Sequence, residues 1–589
     1  MKYNIGYMLG MGLTLVLALS SCSDFLETEP KDRVTLEKFW NEKGDVEAII
    51  SGIYNKMAEY QVVSRMMIWG EFRSENVIDN QSTVDDINLQ RFMKENINAS
   101  NGYTYWGDLY TVINRCNTVI HYAPGIAAKD PSYKESEVHA HIAEMTALRS
   151  LMYFYLIRTF RNVPYSTEAY LEDSQNLVKP ASSFEEILDS CIQALESVKG
   201  WALTSYPEAS GEASNFNTGR ITRDAIYAIL CEMYLWKQDY QQCIAYADLL
   251  IENKKKKAKD ENYSESAFND FNGYPLLSSR YSSGGSENRY GYAFNNIFVE
   301  GNSLESIFEI NYLKTGNVED RISNTAVGNI FGGLGHTPYV TYSMYIGNDA
   351  IDGNNKVFSA ADVRPYEDMN NFGSYINKYT TAGATLLTGS ATTVKNLTKR
   401  YSSQYRTKGS DTKVSYNKSN YILYRISDIM LLKAEALTQL MKDGQTTLDA
   451  VDASYRDQAF ELVDAVNKRS LFYTTATISA SPDVLKVTDY DNKEKITNLV
   501  YDERHRELLF EGKRYFDLVR RAMREGNVEY LLTNVLNKDV EMKSAINGIM
   551  KDMNGIFLPY NLDELKVNPY LQQNPAFPSG ENSSFSSTY

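Results

Sequence analysis

"GRITRDAIYAILCEMYLWKQDYQQCIAYADLLIENK", Gly219 to Lys254, is the stretch whose reading decides the fold. Apolar residues recur every three or four positions, the period of an amphipathic helix. The pattern predicts one helix over about Arg223–Trp236, a turn over Lys237–Tyr240, and a second helix to about Glu252. Ala225 and Ala228 on the first helix are expected to face Ala245 and Ala247 on the second. Small side chains there let two antiparallel helices approach closely, as in a tetratricopeptide-type unit.

The same reading extends in both directions. "TYWGDLYTVINRCNTVIHY" (Thr104 to Tyr122) puts Trp106, Leu109, Ile113 and Cys116 on one helix face, with Ile120 beside them. "AEMTALRSLMYFYLIRTF" predicts a helix over Ala143–Phe160, ended by Pro164, which biases its predecessor away from helix. "SFEEILDSCIQALESV" opens with Ser183 as N-cap and Glu186 three residues on, a capping box. Tyr424–Leu440 and Arg456–Ser470 read as another helix pair. No strict period links these pairs. A stack of them buries a continuous core and presents a curved surface. The expected fold class is mainly α: a tetratricopeptide-like superhelical scaffold with a loop-rich irregular half carrying short strands. That half comprises two insertions, about 263–345 and 380–420, where Gly, Asn, Ser, Thr and Tyr replace the helical pattern. "ESIFEINY" inside the first predicts a short strand. Loops of that length in compact proteins are functional or disordered, and the aromatic content of the first argues against disorder.

The chain has 589 residues, a formal net charge of -15 and 44 Tyr against 23 Phe and 5 Trp. Acidity on that scale excludes nucleic acid as a partner, because phosphates need clustered Lys and Arg. It also argues against electrostatic docking on anionic lipid. Tyr joins a stackable ring to a hydrogen-bonding tip, and suits surfaces that bind half-polar ligands.

"LALSSCSDFLE" (Leu17 to Glu27) sets the compartment. Tyr7–Leu19 is apolar apart from Thr14 and the glycines, too short for a spanning helix but right for a secretory h-region. It ends in small residues and then Cys22, which resembles a bacterial lipobox; the alternative is an ordinary signal peptide with an incidental cysteine. Residues 1–21 are then a lipoprotein signal peptide, Cys22 the lipid attachment site, and 22–589 a single domain. Cys116, Cys191, Cys231 and Cys243 lack CxxC spacing and read as small buried hydrophobes, with a disulfide among them left open.

Catalytic motifs are missing from the sequence: no HExxH, no phosphate-binding GxxxxGK[ST], no GxSxG. No cofactor and no metal is expected. His139 and His141 are two apart on a helix and face different ways. "GGLGH" lacks the lysine of a phosphate loop, and "NDAIDGNN" lacks the closing Glu of a calcium loop. The Lys254–Lys257 run reads as a solvated helix end that complements the dipole. In "ERHRELLFEGKRYFDLVRR" (Glu503 to Arg521), Glu507, Glu511 and Asp517 tempt a catalytic reading. Helical spacing instead gives a packing face of Leu508, Gly512, Tyr515, Phe516 and Val519. It also gives local pairs, Glu511 with Arg514 and Asp517 with Arg514 or Arg521.

That segment resembles the C-terminal signature of the SusD/RagB family, surface glycan-binding lipoproteins of Bacteroidetes. Further resemblances follow in order along nearly the whole chain: the lipobox with "SDFLETEP", "YWGDLYTVINRCNTVI", "ALRSLMYFYLIRTFRNVPY", "GRITRDAIYAIL", "YRISDIMLLKAEAL" and "IFLPYNLDELKVNPYLQQNPAF". "FRNVPY" departs from the family, which usually has Gly at or near Asn162. The resemblance implies helix pairs supporting a loop-rich half and lipid anchoring at the cell surface on the outer membrane. It implies a SusC-like TonB-dependent transporter as partner, and capture of oligosaccharides for import without catalysis. Peptide capture in the RagB manner and a surface glycosidase are the alternatives.

Sugar rings have apolar faces and polar rims, so a site for them needs aromatic platforms beside Asn, Asp, Gln or Arg. Two stretches read as non-helical supply that mixture. One is Asp79–Tyr105, with Arg91, Phe92, Asn98, Tyr103 and Tyr105; the other holds Tyr281, Asn288, Arg289, Tyr290, Tyr292, Tyr339 and Tyr342.

Overall fold

The computed structural model describes residues 39–79, 86–172, 174–206, 213–282, 288–290, 292–312, 340–342, 357–359, 361–368, 419–445, 447–471, 481–538 and 543–577. Eleven helices of twelve residues or more form its frame among the described residues: α1 Lys43–Met57, α2 Tyr60–Glu71, α3 Gly107–Ala127, α4 Glu135–Phe160, α5 Phe184–Val198, α6 Arg223–Trp236, α7 Tyr240–Asp260, α8 Ile426–Leu440, α9 Ala450–Arg469, α10 Lys493–Glu507 and α11 Arg514–Glu525. Strands are few and short: β1 Val77–Asp79, β2 Val163–Pro164, β3 Ala181–Ser182, β4 Arg280–Ser282, β5 Asn288–Tyr290, β6 Ser306–Ile310, β7 Val340–Tyr342 and β8 Tyr421–Arg425. They pair in twos: β1–β7, β2–β3, β4–β5 and β6–β8.

Neighbours in sequence pack as pairs, α3 on α4, α6 on α7 and α8 on α9, and the pairs stack, α7 on α8 and α9 on α10. The mainly α, helix-pair expectation is met. Capping explains several boundaries. At α5, Ser183 Oγ accepts from Glu186 N at 3.2 Å while Glu186 Oε2 accepts from Ser183 N at 2.9 Å. Thr222 caps the N-terminus of α6, and Asp239 caps that of α7 at the turn between the two helices.

The face of that pair differs from its prediction. Ala225, Ala228 and Ala247 are buried, but Ala245 is exposed. Cys231 and Cys243 take the crossing instead, their sulfurs 3.7 Å apart as free thiols. Cys116 and Cys191 are buried free thiols as well. Also, α7 continues to Asp260, two turns past its predicted end. Lys254, expected in solvent, is therefore 3% exposed, and its ammonium donates to the Ser306 carbonyl on β6. At the end of α4, Arg161 has φ +68°, so the left-handed turn that favours glycine falls on an arginine here.

The Glu503–Arg521 segment is two helices rather than one. Residues 508–513 form a turn in which Phe510 has φ +64° and Gly512 has φ +72°. This turn sits on α2: a Cβ on Gly70 would lie 1.8 Å from the Gly512 carbonyl oxygen. Glu71, next in α2, accepts the Gly512 N–H at 3.1 Å.

The predicted "ESIFEINY" strand is β6. Its partner β8 occupies Tyr421–Arg425, so the helix expected from Tyr424 begins two residues later, at Ile426. Both strands are buried throughout, and join the loop-rich half to the helix stack. One large apolar core runs from Trp40 to Phe577; a smaller one, including Phe268, Leu277, Phe294, Phe298 and Ile422, lies under the loop-rich half. Among the described residues, no helix is long and apolar enough to cross a membrane.

Candidate functional site

The carboxylates of the C-terminal signature are structural. Arg425 donates to Glu511 Oε1 at 2.8 Å and Oε2 at 3.0 Å, and to Glu507 through a further short contact. Arg504 forks onto Asp517 with two 2.9 Å bonds, and Arg514 onto Glu75 at 2.9 and 2.6 Å. The expected local pairs are thus replaced: Glu511 and Arg514 take partners distant in sequence, and Asp517 takes Arg504 together with Arg520, three residues on. Arg364 and Arg469 complete the cluster on Asp362, Glu503, Glu305 and Glu507. Burial pushes the Glu507 carboxyl up, but the charges of Arg469, Arg425 and Arg364 outweigh it and hold it well below its ordinary range. A sealed, fully ionised carboxylate locked to three guanidiniums is neither a proton shuttle nor a nucleophile. Among the described residues, no group of three or more His, Cys, Asp or Glu could hold a metal ion.

The residues predicted to bind ligand divide by position. In the first stretch, Ile87–Met93 is a short helix capped by Asp86, so the region is not wholly non-helical. Phe92 is 0% exposed, its ring edge-to-face with Tyr103 at 6.3 Å; it is packing and no platform. Tyr103 is buried too, donating to Asp86 Oδ2 at 2.6 Å. Arg91 and Asn98 are half-buried, and Tyr105 is 41% exposed.

In the second stretch, Tyr281, Asn288, Arg289 and Tyr290 share the β4–β5 pair, with Tyr281 opposite Arg289 and Tyr290 opposite Arg280. Tyr292 is half-buried and opens the next helical turn, its N–H bonded to the Ser279 carbonyl. Tyr342 lies on β7, opposite Val77 of β1. The β1–β7 pair therefore joins the edges of the two predicted stretches, more than 260 residues apart in sequence. Tyr339, Cys22, "GGLGH", "NDAIDGNN" and most of 380–420 lie outside the described residues.

A groove of about 630 Å³ went unforeseen. It runs between α3, the irregular segment 164–179 and the short helix Leu562–Val567. Tyr110, Tyr165 and Tyr170 line it, with Asn114, Lys179 and Glu564 among its polar groups. The segment has little regular structure, and side chains fix it to the helices. Tyr110 donates to the Pro164 carbonyl at 2.6 Å. Asn114 closes two bonds with the Tyr170 backbone, at 2.9 and 2.8 Å. Tyr153 accepts from Ser166 N and donates to its carbonyl, each at 2.9 Å. Lys179 lies 5.6 Å from the Tyr170 ring centroid and 2.9 Å from Glu168. Burial lifts the Glu564 carboxyl above its ordinary range, opposed by a hydrogen bond from Trp106 and reinforced by the charge of Asp563. A sequence signal did exist: "VPYSTEAY" places two tyrosines among small polar residues directly after a helix-ending proline.

Stacked helix pairs carrying a loop-rich half, with sealed carboxylates and aromatic-lined surface, define a binding scaffold. Residues 305–577 match the family model described as "SusD family", and residues 24–235 match one described as "Starch-binding associating with outer membrane". The chain belongs to the SusD/RagB family. It is 26% identical to SusD-like protein P38 of Formosa agariphila over 577 residues, 94% of this chain and 96% of that protein. A SusD superfamily protein from Bacteroides vulgatus superposes with a TM-score of 0.60 at 19% identity, covering 91% of this chain and 100% of that one. Surface glycan-binding protein A from Bacteroides thetaiotaomicron, in complex with laminarihexaose, gives a TM-score of 0.56 at 17% identity, covering 91% and 100%.

Proposed function

We propose that this protein captures oligosaccharides at the cell surface and passes them to a SusC-like TonB-dependent transporter of the outer membrane. It does so by binding, without catalysis. Residues 1–21 are removed as a signal peptide, and acylated Cys22 anchors the chain. The observation that carries this reading is the likeness, over 91% of the chain, to a surface glycan-binding protein in complex with laminarihexaose. The sequence of the loop-rich half supports it, because tyrosines interspersed with Asn and Arg suit sugar faces and rims. The site assigned to that half comprises Tyr281, Asn288, Arg289, Tyr290, Tyr292, Tyr339 and Tyr342, with Arg91 and Asn98 from the first stretch.

Affinity electrophoresis through gels containing laminarin, starch or xylan tests the reading. Retention in at least one gel, lost when Tyr290→Ala and Tyr292→Ala are combined without a lower melting temperature, is the expected result. Passage through every gel, with retention of peptides instead, would replace glycan by peptide as cargo. Membrane fractionation of Cys22→Ala tests the anchor, and its release into the soluble fraction is expected.

A further inference from the structure

We propose that the groove between α3, the 164–179 segment and the Leu562–Val567 helix is a second subsite for a neutral oligosaccharide. It shares no lining residue with the loop-rich half, and the proposal rests on the glycan-binding reading above. Three features argue for that occupant. The volume, about 630 Å³, falls within the range of small-molecule sites. Its tyrosines are held in place before any ligand arrives: Tyr110 by the Pro164 carbonyl, Tyr170 by Ser166 Oγ at 3.2 Å, and Tyr165 against the Tyr153 ring at 4.7 Å. With hydroxyls of Tyr110 and Tyr170 tied down, the rings are fixed, so little ordering cost opposes binding. The rim carries Thr111, Lys179 and Glu564, which match ring hydroxyls.

Charge and backbone narrow the choice further. Lys179 and Arg115 are offset by Glu564 and by Glu168 beside Lys179, so the groove has no excess cation to attract a sulfated or uronic chain. An extended peptide would dock by adding to a strand edge, and the strands here, β2 and β3, are two residues each.

The test is calorimetric titration of the full chain with laminarihexaose, maltohexaose, cellohexaose and xylohexaose. Tyr165→Ala combined with Tyr170→Ala empties the groove of two platforms. Thr111→Trp fills it from the α3 side and keeps those rings, should the double variant fold poorly. For a hexasaccharide that binds the unaltered protein, the expected result is at least a five-fold weaker affinity or the loss of one site per chain in both groove variants. Adding Tyr290→Ala and Tyr292→Ala should weaken binding further. Unchanged affinity and stoichiometry in the folded groove variants would overturn the groove and leave the glycan reading intact. Loss of binding in the groove variants alone would support the groove and overturn the loop assignment. No binding of any of the four by the unaltered protein would overturn both.

Discussion

The sealed ion network around Arg425 and the open tyrosine groove beside α3 use the same ingredients to opposite ends. Both set cations over aromatic rings: Lys513 lies 4.4 Å from the Tyr424 centroid in the network, and Lys179 5.6 Å from Tyr170 in the groove. Both contain ion pairs of ordinary length. In the network the guanidiniums of Arg425 and Arg469 bind carboxylates drawn from distant segments, so the residue before β6, the end of β8, α9 and α10 are stitched together. In the groove a lysine reaches an exposed glutamate at the rim. Arginine's rigid fork suits dry, fixed pairing, whereas lysine keeps its hydration at a surface. Burial, more than bond length, decides what each pair is worth.

The largest expected effect lies in the network. Arg425→Ala leaves Glu507 and Glu511 buried without their shared cation, and is expected to cost about 3–5 kcal/mol in urea unfolding. Arg425→Lys is expected to recover little, since one ammonium cannot reproduce the fork. A loss under ~1 kcal/mol would mean that water reaches this site, and the contrast with the groove would collapse. Next is Gly70→Ala, where the added Cβ meets the Gly512 carbonyl at 1.8 Å. Neither backbone can yield cheaply, because the α2 helix and the positive-φ turn are both fixed, so a loss of about 1–3 kcal/mol or more is expected from thermal melts. Gly52, with open space around it, is the control: Gly52→Ala should be neutral or stabilising.

The third expectation concerns pH. Burial, and next the charge of Lys257, lower the Lys254 ammonium to about 7, partly offset by Asp224, Glu261 and Glu309. Its unfolded value is 10.5, so between these limits the unfolded chain binds more protons and stability rises with pH. The penalty is full below pH 7 and gone above 10.5. Lys254→Met should therefore gain most over the unaltered chain below pH 7. That advantage should shrink by up to ~1.4 kcal/mol per pH unit on the way to 10.5. A difference that stays flat from pH 6 to 11 would show that Lys254 titrates as a solvated lysine.

What the sequence revealed follows the same division. Helix periodicity and caps are local, so the α6–α7 pair, the Ser183 capping box and β6 were legible from their own residues. The partners of Arg425, Arg504 and Arg514 were not. Helical spacing offers neighbours at i+3 and i+4, while the buried charges found fixed partners across the fold, and the break at 508–513 turned them there. Lys254 was misread because the helix ran two turns further and met β6. Phe92 was misread because aromatic composition cannot tell a platform from packing. The groove was missed because its three walls come from residues near 110, 165 and 565, and no window of sequence holds them together.

The smallest expected effect sets the scale for the comparison. Lys179 is paired with Glu168 at 2.9 Å, as close as Arg504 to Asp517, but the two side chains are 30% and 65% exposed, against 1% and 3%. Solvent screens the rim pair, and two long side chains give up rotamer freedom to form it. Lys179→Ala is therefore expected to cost no more than about 0.5 kcal/mol, a difference that shrinks further in 1 M salt as the Debye length falls to roughly 3 Å. Differential scanning calorimetry at low and high salt measures both. A cost approaching that of Arg425→Ala would mean that Lys179 holds the 164–179 segment in place through Ser166, and that the groove wall depends on its cation more than on Asn114 and Tyr110. A cost of a few tenths leaves the wall resting on those hydrogen bonds and frees the lysine for a ligand.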